Sequence, residues 1–278
     1  MARKCAFCGK SPPAVKISNE HVLRKKLGKL FPTPLPTSGR LRQANRNDIT
    51  GRIETRDIHI PKNPFDMTVN DVCKACNEGW LDKEVEQPAE TALMALMHGH
   101  PLEISSENAR NLALWASKTA MVRGLMDRGQ KVIPSSHYDY LMRNLAPSPG
   151  TYVWLAHIEY CSTVFTRHLR FGILPDNDTH RILVLPEDDQ TGISLAHMTT
   201  FLLGHLGLYV VGVSEMTATE AIFTPELQTA WNAHPLLQIW PQVRFMDPNV
   251  PSFDWPCGQL TQERARSLSS FFVESIQG

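Results

Sequence analysis

Cys5-Ala-Phe-Cys8 and Cys73-Lys-Ala-Cys76, with Ser18-Asn-Glu-His-Val-Leu23 between them, are the stretches that decide the fold. Two residues between cysteines let a tight knuckle aim both thiolates at one ion. Two such knuckles make up a tetrahedral four-cysteine set of the kind that holds structural Zn2+. The 64 residues separating Cys8 from Cys73 are no obstacle, since each doubling of a loop costs only about 0.6 kcal/mol of closure entropy. A disulfide framework competes with zinc, but it suits an oxidising compartment. Met1-Ala-Arg-Lys-Cys5 is followed by no apolar stretch, which predicts no secretory signal and a cytoplasmic protein. Cys161 and Cys257 stand alone.

Outward from the knuckles the charge is uneven. The 278 residues hold 28 Lys+Arg and 28 Asp+Glu, a formal net charge of zero. Met1–Lys62 carries 14 basic and 4 acidic residues, net +10, so the remainder stands at −10. A positive segment of this size points to a polyanion partner, the alternative being neutralisation across an internal interface. A hydrophobic fraction of 42% with 20% charged residues excludes wholesale disorder. The longest apolar run, Phe201–Val213, is 13 residues and contains His205; it is too short to cross a bilayer as a helix.

Periodicity predicts a mixed α/β chain without repeats. Ile17–Leu30 reads as a basic turn and helix, stopped by Phe31-Pro-Thr-Pro-Leu-Pro36. Ile53–Ile60 alternates as a strand, and Lys74–Leu96 keeps helical spacing through Trp80, Leu81, Val85, Ala89 and Leu93. Ser106 is a candidate cap for a helix over Glu107–Met126, and Met97-His-Gly-His100 reads as a helix end with a glycine stop. Strands are expected at Tyr152–Glu159, Ser162–Ile173, Arg181–Leu185 and Leu206–Val213, and a short helix at Ser267–Ser275.

The order of the two knuckles, Glu20-His21-Val22 between them and Asn77 directly after the second resembles the HNH endonuclease family. Glu78-Gly-Trp-Leu81 adds a likeness to the bacterial and phage subgroup carrying Cys-Asn-x-Gly-Trp. The resemblance covers about Lys4–Glu86, with a fainter echo in Gln238-Ile-Trp-Pro241 and Phe253-Asp-Trp-Pro256. It implies an α+β fold: a zinc-braced ββα-metal finger in residues 1–98, then a mixed α/β domain of unassigned role in 99–278.

It also implies a chemistry. His21 is the general base that activates water, since a neutral imidazole accepts a proton near pH 7. Glu20 either ligates a catalytic divalent ion or sets the His21 tautomer. Asn77 offers a carbonyl oxygen to Mg2+ or Mn2+, although Asn also caps helices, and the two roles are compatible. Asn70 stands for the family's middle Asn in preference to Asn63. Arg24 stands where the family often has Pro, and the stretch around Pro32–Asp48 is an insertion. His59 is expected to face solvent.

The implied function is metal-dependent hydrolysis of phosphodiester bonds in DNA, with RNA not excluded. Arg24, Lys25, Lys26, Arg40, Arg42 and Arg46 would hold the backbone through salt-dependent, sequence-independent contacts. Two other classes stay open: a non-catalytic zinc-dependent nucleic-acid-binding module, and a protein-interaction scaffold built on the acidic part. The oligomeric state is open too, a homodimer through the C-terminal part included.

Overall fold

The computed structural model describes residues 3–29, 31, 39–46, 53–60, 64–127, 133–174, 181–183, 194–214, 234–242, 252–256 and 258–268. Helices and strands are interleaved throughout. Strand β1 (Ile17–His21) is followed by a short helix α1 (Lys25–Lys29), and then by the antiparallel ribbon β2 (Gly39–Arg46) and β3 (Ile53–Ile60). Strand β4 (Thr68–Cys73) returns to pair antiparallel with β1. The expected turn and helix over Ile17–Leu30 is therefore half strand. Ile17–His21 is held extended by the ladder to Thr68–Cys73, a long-range partner that no local pattern announces. The register slips between Ser18 and Glu20, a bulge opposite Asn19. Of the proposed insertion, only 39–46 lies within the described residues, where it pairs with the expected strand Ile53–Ile60.

From β4 the chain passes straight into helix α2 (Lys74–Cys76), a widened helical segment Asn77–Glu86, and α3 (Gln87–Met97). The widened segment closes with the Gln87 N–H reaching back five residues to the Asp82 carbonyl, and Gly79 departs from helical geometry at φ −95°, ψ −113°. Helix α3 ends as the glycine stop predicts: the Gly99 N–H donates to Leu96 O and the His100 N–H to Ala95 O.

Strand β5 (Leu102–Ser105) leads into α4 (Ser106–Gly124), the central helix. Its cap is Ser105 rather than Ser106: the Ser105 hydroxyl accepts the Asn108 N–H at 3.2 Å. Every residue from Leu112 to Arg123 is buried, because α3 covers one side and a sheet the other. Helix α5 (Ser135–Asn144) precedes that sheet. The sheet is a long antiparallel pair, β6 (Thr151–Leu174) and β8 (Ser194–Val213), with β7 (Arg181–Leu183) and β9 (Leu236–Trp240) also paired to β6. The two strands expected at Tyr152–Glu159 and Ser162–Ile173 are one, bent by irregularities in register around Cys161. Residues 184 and 185 of the expected Arg181–Leu185 strand lie outside the described residues.

Both faces of the β6–β8 pair are covered, which accounts for the unbroken apolar run in Phe201–Val213. Leu206, Leu208 and Val210 join the core shared with α4, while Tyr209, Val211 and Val213 pack toward Ala265 and Leu268. Those last two lie on a helix over 262–268, which starts earlier than the expected Ser267; 269–275 lie outside the described residues. Strand β10 (Ser252–Trp255) pairs with β5. Buried side chains from both sides of position 98 form a single cluster running from Cys5 to Trp255. Among the described residues, no helix is long and apolar enough to cross a membrane.

The end of α3 locks onto the bend of the β6–β8 pair through two glycines. Gly204 has φ +62°, and a Cβ there would lie 2.3 Å from the Met97 carbonyl oxygen. At Gly99 (φ +71°) a Cβ would lie 2.8 Å from the His205 ring. Gly204→Ala should therefore lower stability by more than the roughly 1–3 kcal/mol of backbone strain alone, measurable in urea unfolding.

Farther along the pair, His168 and His197 are buried and stacked, ring centroids 5.3 Å apart, with the His168 Nδ1 and the Thr199 hydroxyl 2.7 Å apart. Burial, reinforced by Arg123 and Arg170, pushes His168 down to about 3. Burial and the neighbouring His168 and His137 take His197 well below its ordinary value. Both are neutral in the folded chain but protonate near pH 6.5 when unfolded. Their stabilising contribution is thus complete above about pH 6.5 and is lost as pH falls toward the folded values. By pH 5 His168 alone should withdraw about 2 kcal/mol, so the urea midpoint should fall between pH 7 and 5, and fall less in His168→Asn.

Candidate functional site

The two knuckles meet because β1 and β4 are paired up to the second knuckle and the first knuckle is tied to the middle of β4. The Ala6 N–H donates to Asp71 O at 2.7 Å, and the Lys74 N–H to Lys16 O at 2.8 Å. The four sulfurs of Cys5, Cys8, Cys73 and Cys76 lie within 4.8 Å of one another. Cys5 and Cys76 Sγ are 3.9 Å apart, and Cys8 and Cys73 Sγ 3.7 Å. A tetrahedral site with metal–sulfur bonds of about 2.3 Å has edges of about 3.8 Å, whereas a disulfide requires about 2.05 Å. The cluster thus fits a metal such as zinc, and its cysteines are free of disulfides. The Cys5 thiol is held down to about 4 by the hydrogen bond with Cys76, and Cys76 is pushed up by the same bond and by burial. Phe7, inside the first knuckle, meets Trp80 and Tyr138 edge-on at 5.3 Å each, which fastens the knuckle to the widened helical segment and α5.

Next to the cluster opens a cleft of about 320 Å³, whose walls include Glu20, His21, Asn77, Asp82 and Glu86. His21 is the last residue of β1, half-buried and opposite Thr68. Asn77 enters from the first turn after the second knuckle. Its Nδ2 donates to the Ser18 hydroxyl and to the Asn19 carbonyl, both at 3.2 Å. The side chain therefore ties the helix to β1 in place of capping the helix, and its carbonyl Oδ1 stays out of these bonds.

Glu20 is 5% exposed and reaches past the cleft into the core. Its Oε1 accepts Lys118 Nζ of α4 at 2.8 Å; Lys118 also donates to Glu86 Oε1, and the Trp115 indole N–H donates to Glu86 Oε2 at 2.9 Å. Burial alone would drive the Lys118 ammonium toward neutrality, but the Glu86 and Glu20 carboxylates outweigh it and raise its pKa above lysine's ordinary value. Removing one member of such a buried set costs about 3–5 kcal/mol, because a charge is left stranded.

The basic residues divide. Arg24 is bonded to Asp82 at 2.6 Å and to Glu90, Lys26 also bonds Glu90, and Lys25 lies 3.5 Å from Asp66. Arg40, Arg42 and Arg46 take alternate positions of β2, opposite His59, Asp57 and Ile53; their side chains lie outside the description, as does that of His59. Asn70 is exposed at the bulge of β4 and does not line the cleft. Asn63 lies outside the described residues.

Sequence reasoning missed Lys118, Glu86 and Trp115. One signal was available: Lys118 is the single charge in Leu112-Ala-Leu-Trp-Ala-Ser-Lys-Thr-Ala-Met-Val122, a stretch otherwise fit for a core. No protein-family model, curated protein or solved structure matches the chain.

Metal binding to thiolate clusters contributes on the order of 10 kcal/mol, comparable with the whole stability of a domain. Elemental analysis of the purified chain should find a thiolate-seeking metal in stoichiometric amount. Cys76→Ser should lose it together with the cooperative unfolding transition.

Proposed function

We propose that this chain is an HNH-type endonuclease, a zinc-braced ββα finger that hydrolyses phosphodiester bonds in DNA, with RNA as the second candidate substrate. The observation that carries the proposal is the convergence of Glu20, His21 and Asn77 on one cleft beside the four-cysteine cluster. They arrive there from an antiparallel pair of strands followed directly by a helix. The motif order of the sequence and the geometry of the cleft support the same assignment.

Hydrolysis requires a water to attack phosphorus while the bond to the leaving oxygen breaks. In this proposal His21 takes the proton of the attacking water, and a general base of this kind contributes about 10²–10⁴-fold. The Glu20 carboxylate and the Asn77 Oδ1 are hard oxygen donors suited to Mg2+ or Mn2+. Bound there, such an ion would supply positive charge against the phosphate and the leaving oxygen. The four-cysteine cluster, filled by structural zinc, keeps the start of the helix against β1 and so keeps Asn77 beside His21. Lys25, whose pair with Asp66 is exposed enough to exchange, would hold the backbone, joined by Lys26 and Arg24 where phosphates displace Glu90 and Asp82.

One observation favours a second reading. Glu20 is bonded to Lys118, as expected of a site that has given up a catalytic ion and become a non-catalytic zinc-dependent nucleic-acid-binding module.

Incubation with plasmid separates the two. The nuclease should nick or linearise it only with added Mg2+ or Mn2+. His21→Ala should lower the rate at least a hundredfold while keeping full zinc content and the wild-type circular dichroism spectrum. Undiminished cleavage by His21→Ala would overturn the mechanism. Mobility shifts without cleavage under any divalent ion would leave the binding module.

A further inference from the structure

The ion set behind the cleft has an odd charge count. Lys118 brings one positive charge and Glu20 and Glu86 bring two negative ones, all on side chains less than a tenth exposed. Of the four carboxylate oxygens, Glu20 Oε1 and Glu86 Oε1 accept Lys118, and Glu86 Oε2 accepts Trp115. The fourth, Glu20 Oε2, has no partner among the described residues, and its side chain lines the cleft. The set thus carries one net negative charge, its open oxygen on a side chain of the cleft that Asn77 also lines, together with Arg24, Lys25 and Lys26, which are paired to Asp82, Asp66 and Glu90. A buried charge of this kind is costly unless a counter-charge meets it.

We propose that Lys118 is a positioning residue for Glu20, backed by Glu86 and Trp115, and that the three together set Glu20 Oε2 as the principal ligand of the divalent cation in the cleft. This rests on the nuclease assignment only in naming the cation that the cleft serves. Lys118 holds one oxygen of Glu20 and so sets the direction of the other. Glu86 accepts Lys118 through Oε1 and is itself held by the Trp115 indole N–H through Oε2, which fixes the ammonium that bonds Glu20. The binding strength of a site in the N-terminal segment is thereby set from α4, so that the finger is completed by the core behind it.

The test is Mn2+ titration followed by electron paramagnetic resonance of free Mn2+, on full-length zinc-loaded protein, alongside cleavage rates at graded Mn2+. Lys118→Met removes the charge and keeps most of the side chain's length. Glu86→Gln and Trp115→Phe are milder and keep the packing should Lys118→Met not fold. The expected result is Mn2+ affinity at least tenfold weaker in each folded variant, in Lys118→Met despite the added net negative charge because the direction of Glu20 Oε2 is lost, with zinc content unchanged. The apparent Mn2+ requirement for cleavage should rise, and the rate at saturating Mn2+ should recover most of the wild-type value. A merely structural set would lower the unfolding midpoint and leave the Mn2+ affinity of the folded protein unmoved; that result overturns the proposal while leaving the nuclease assignment intact. Wild-type protein that binds Mn2+ in a Lys118-dependent way but cuts nothing would sustain the positioning role and sink the nuclease. Wild-type protein that binds no Mn2+ at all would overturn both.

Discussion

A charged lysine in the middle of a core helix is the constraint on which much of the architecture depends. An ammonium without partners at that depth would cost several kcal/mol, so α4 can be buried on all sides only if carboxylates are delivered to Lys118 from elsewhere. They come from two places far apart in sequence, Glu20 on β1 and Glu86 at the end of the widened helical segment. That requirement fixes β1, the helix after the second knuckle and α4 relative to one another. The four-cysteine cluster fixes the first two again from the opposite end. The cleft lies between these two fasteners, so its walls are set by chemistry on both sides.

Charge neutrality is built across the chain as well as within it. Three basic residues of the positive N-terminal segment, Arg24, Lys25 and Lys26, meet Asp82, Asp66 and Glu90 of the acidic remainder. In the core the polarity reverses, since the N-terminal partner is the acid, Glu20, and the later one the base, Lys118. The zero net charge therefore reflects an interface in part. What remains for a polyanion is the surface positive charge not already paired, together with pairs exposed enough to exchange.

Much of the site was legible in the sequence because its geometry is local. A Cys-x-x-Cys spacing brings two thiols together locally, and Asn77 directly after Cys76 had to enter near the four-cysteine cluster. The glycine stop at Gly99 was legible for the same reason. Features created by distant partners were not legible. Ile17–His21 became a strand because Thr68–Cys73 lies beside it, and the choice of Ser105 over Ser106 as cap turned on where β5 ended. Glu20 looked like a ligand or a partner of His21 from its neighbours alone. Its bond to Lys118, 98 positions later, follows from how α4 packs, which no motif encodes. Arg24 and Lys26 read as a free positive patch for the same reason, since Asp82 and Glu90 approach them only once the helix has docked.

The widened turn between Asn77 and Glu86 also has a consequence for how the helix is phased. Nine positions amount to about 2.5 turns of an ordinary α-helix, which would send these two side chains to opposite sides. They share one cleft because the stretch is not one regular helix: it kinks at Gly79, which is out of helical geometry, and closes on a wide turn with the Gln87 N–H reaching five residues back. Such wide turns are equivalent to a residue inserted into a helix. Removing one residue between Gly79 and Asp82 would let the helix relax to its normal pitch, rotating everything beyond it by roughly a quarter turn. Lys118 would lose Glu86, Arg24 would lose Glu90, and the cleft would lose a wall. The helix would be more regular and the buried ion set broken.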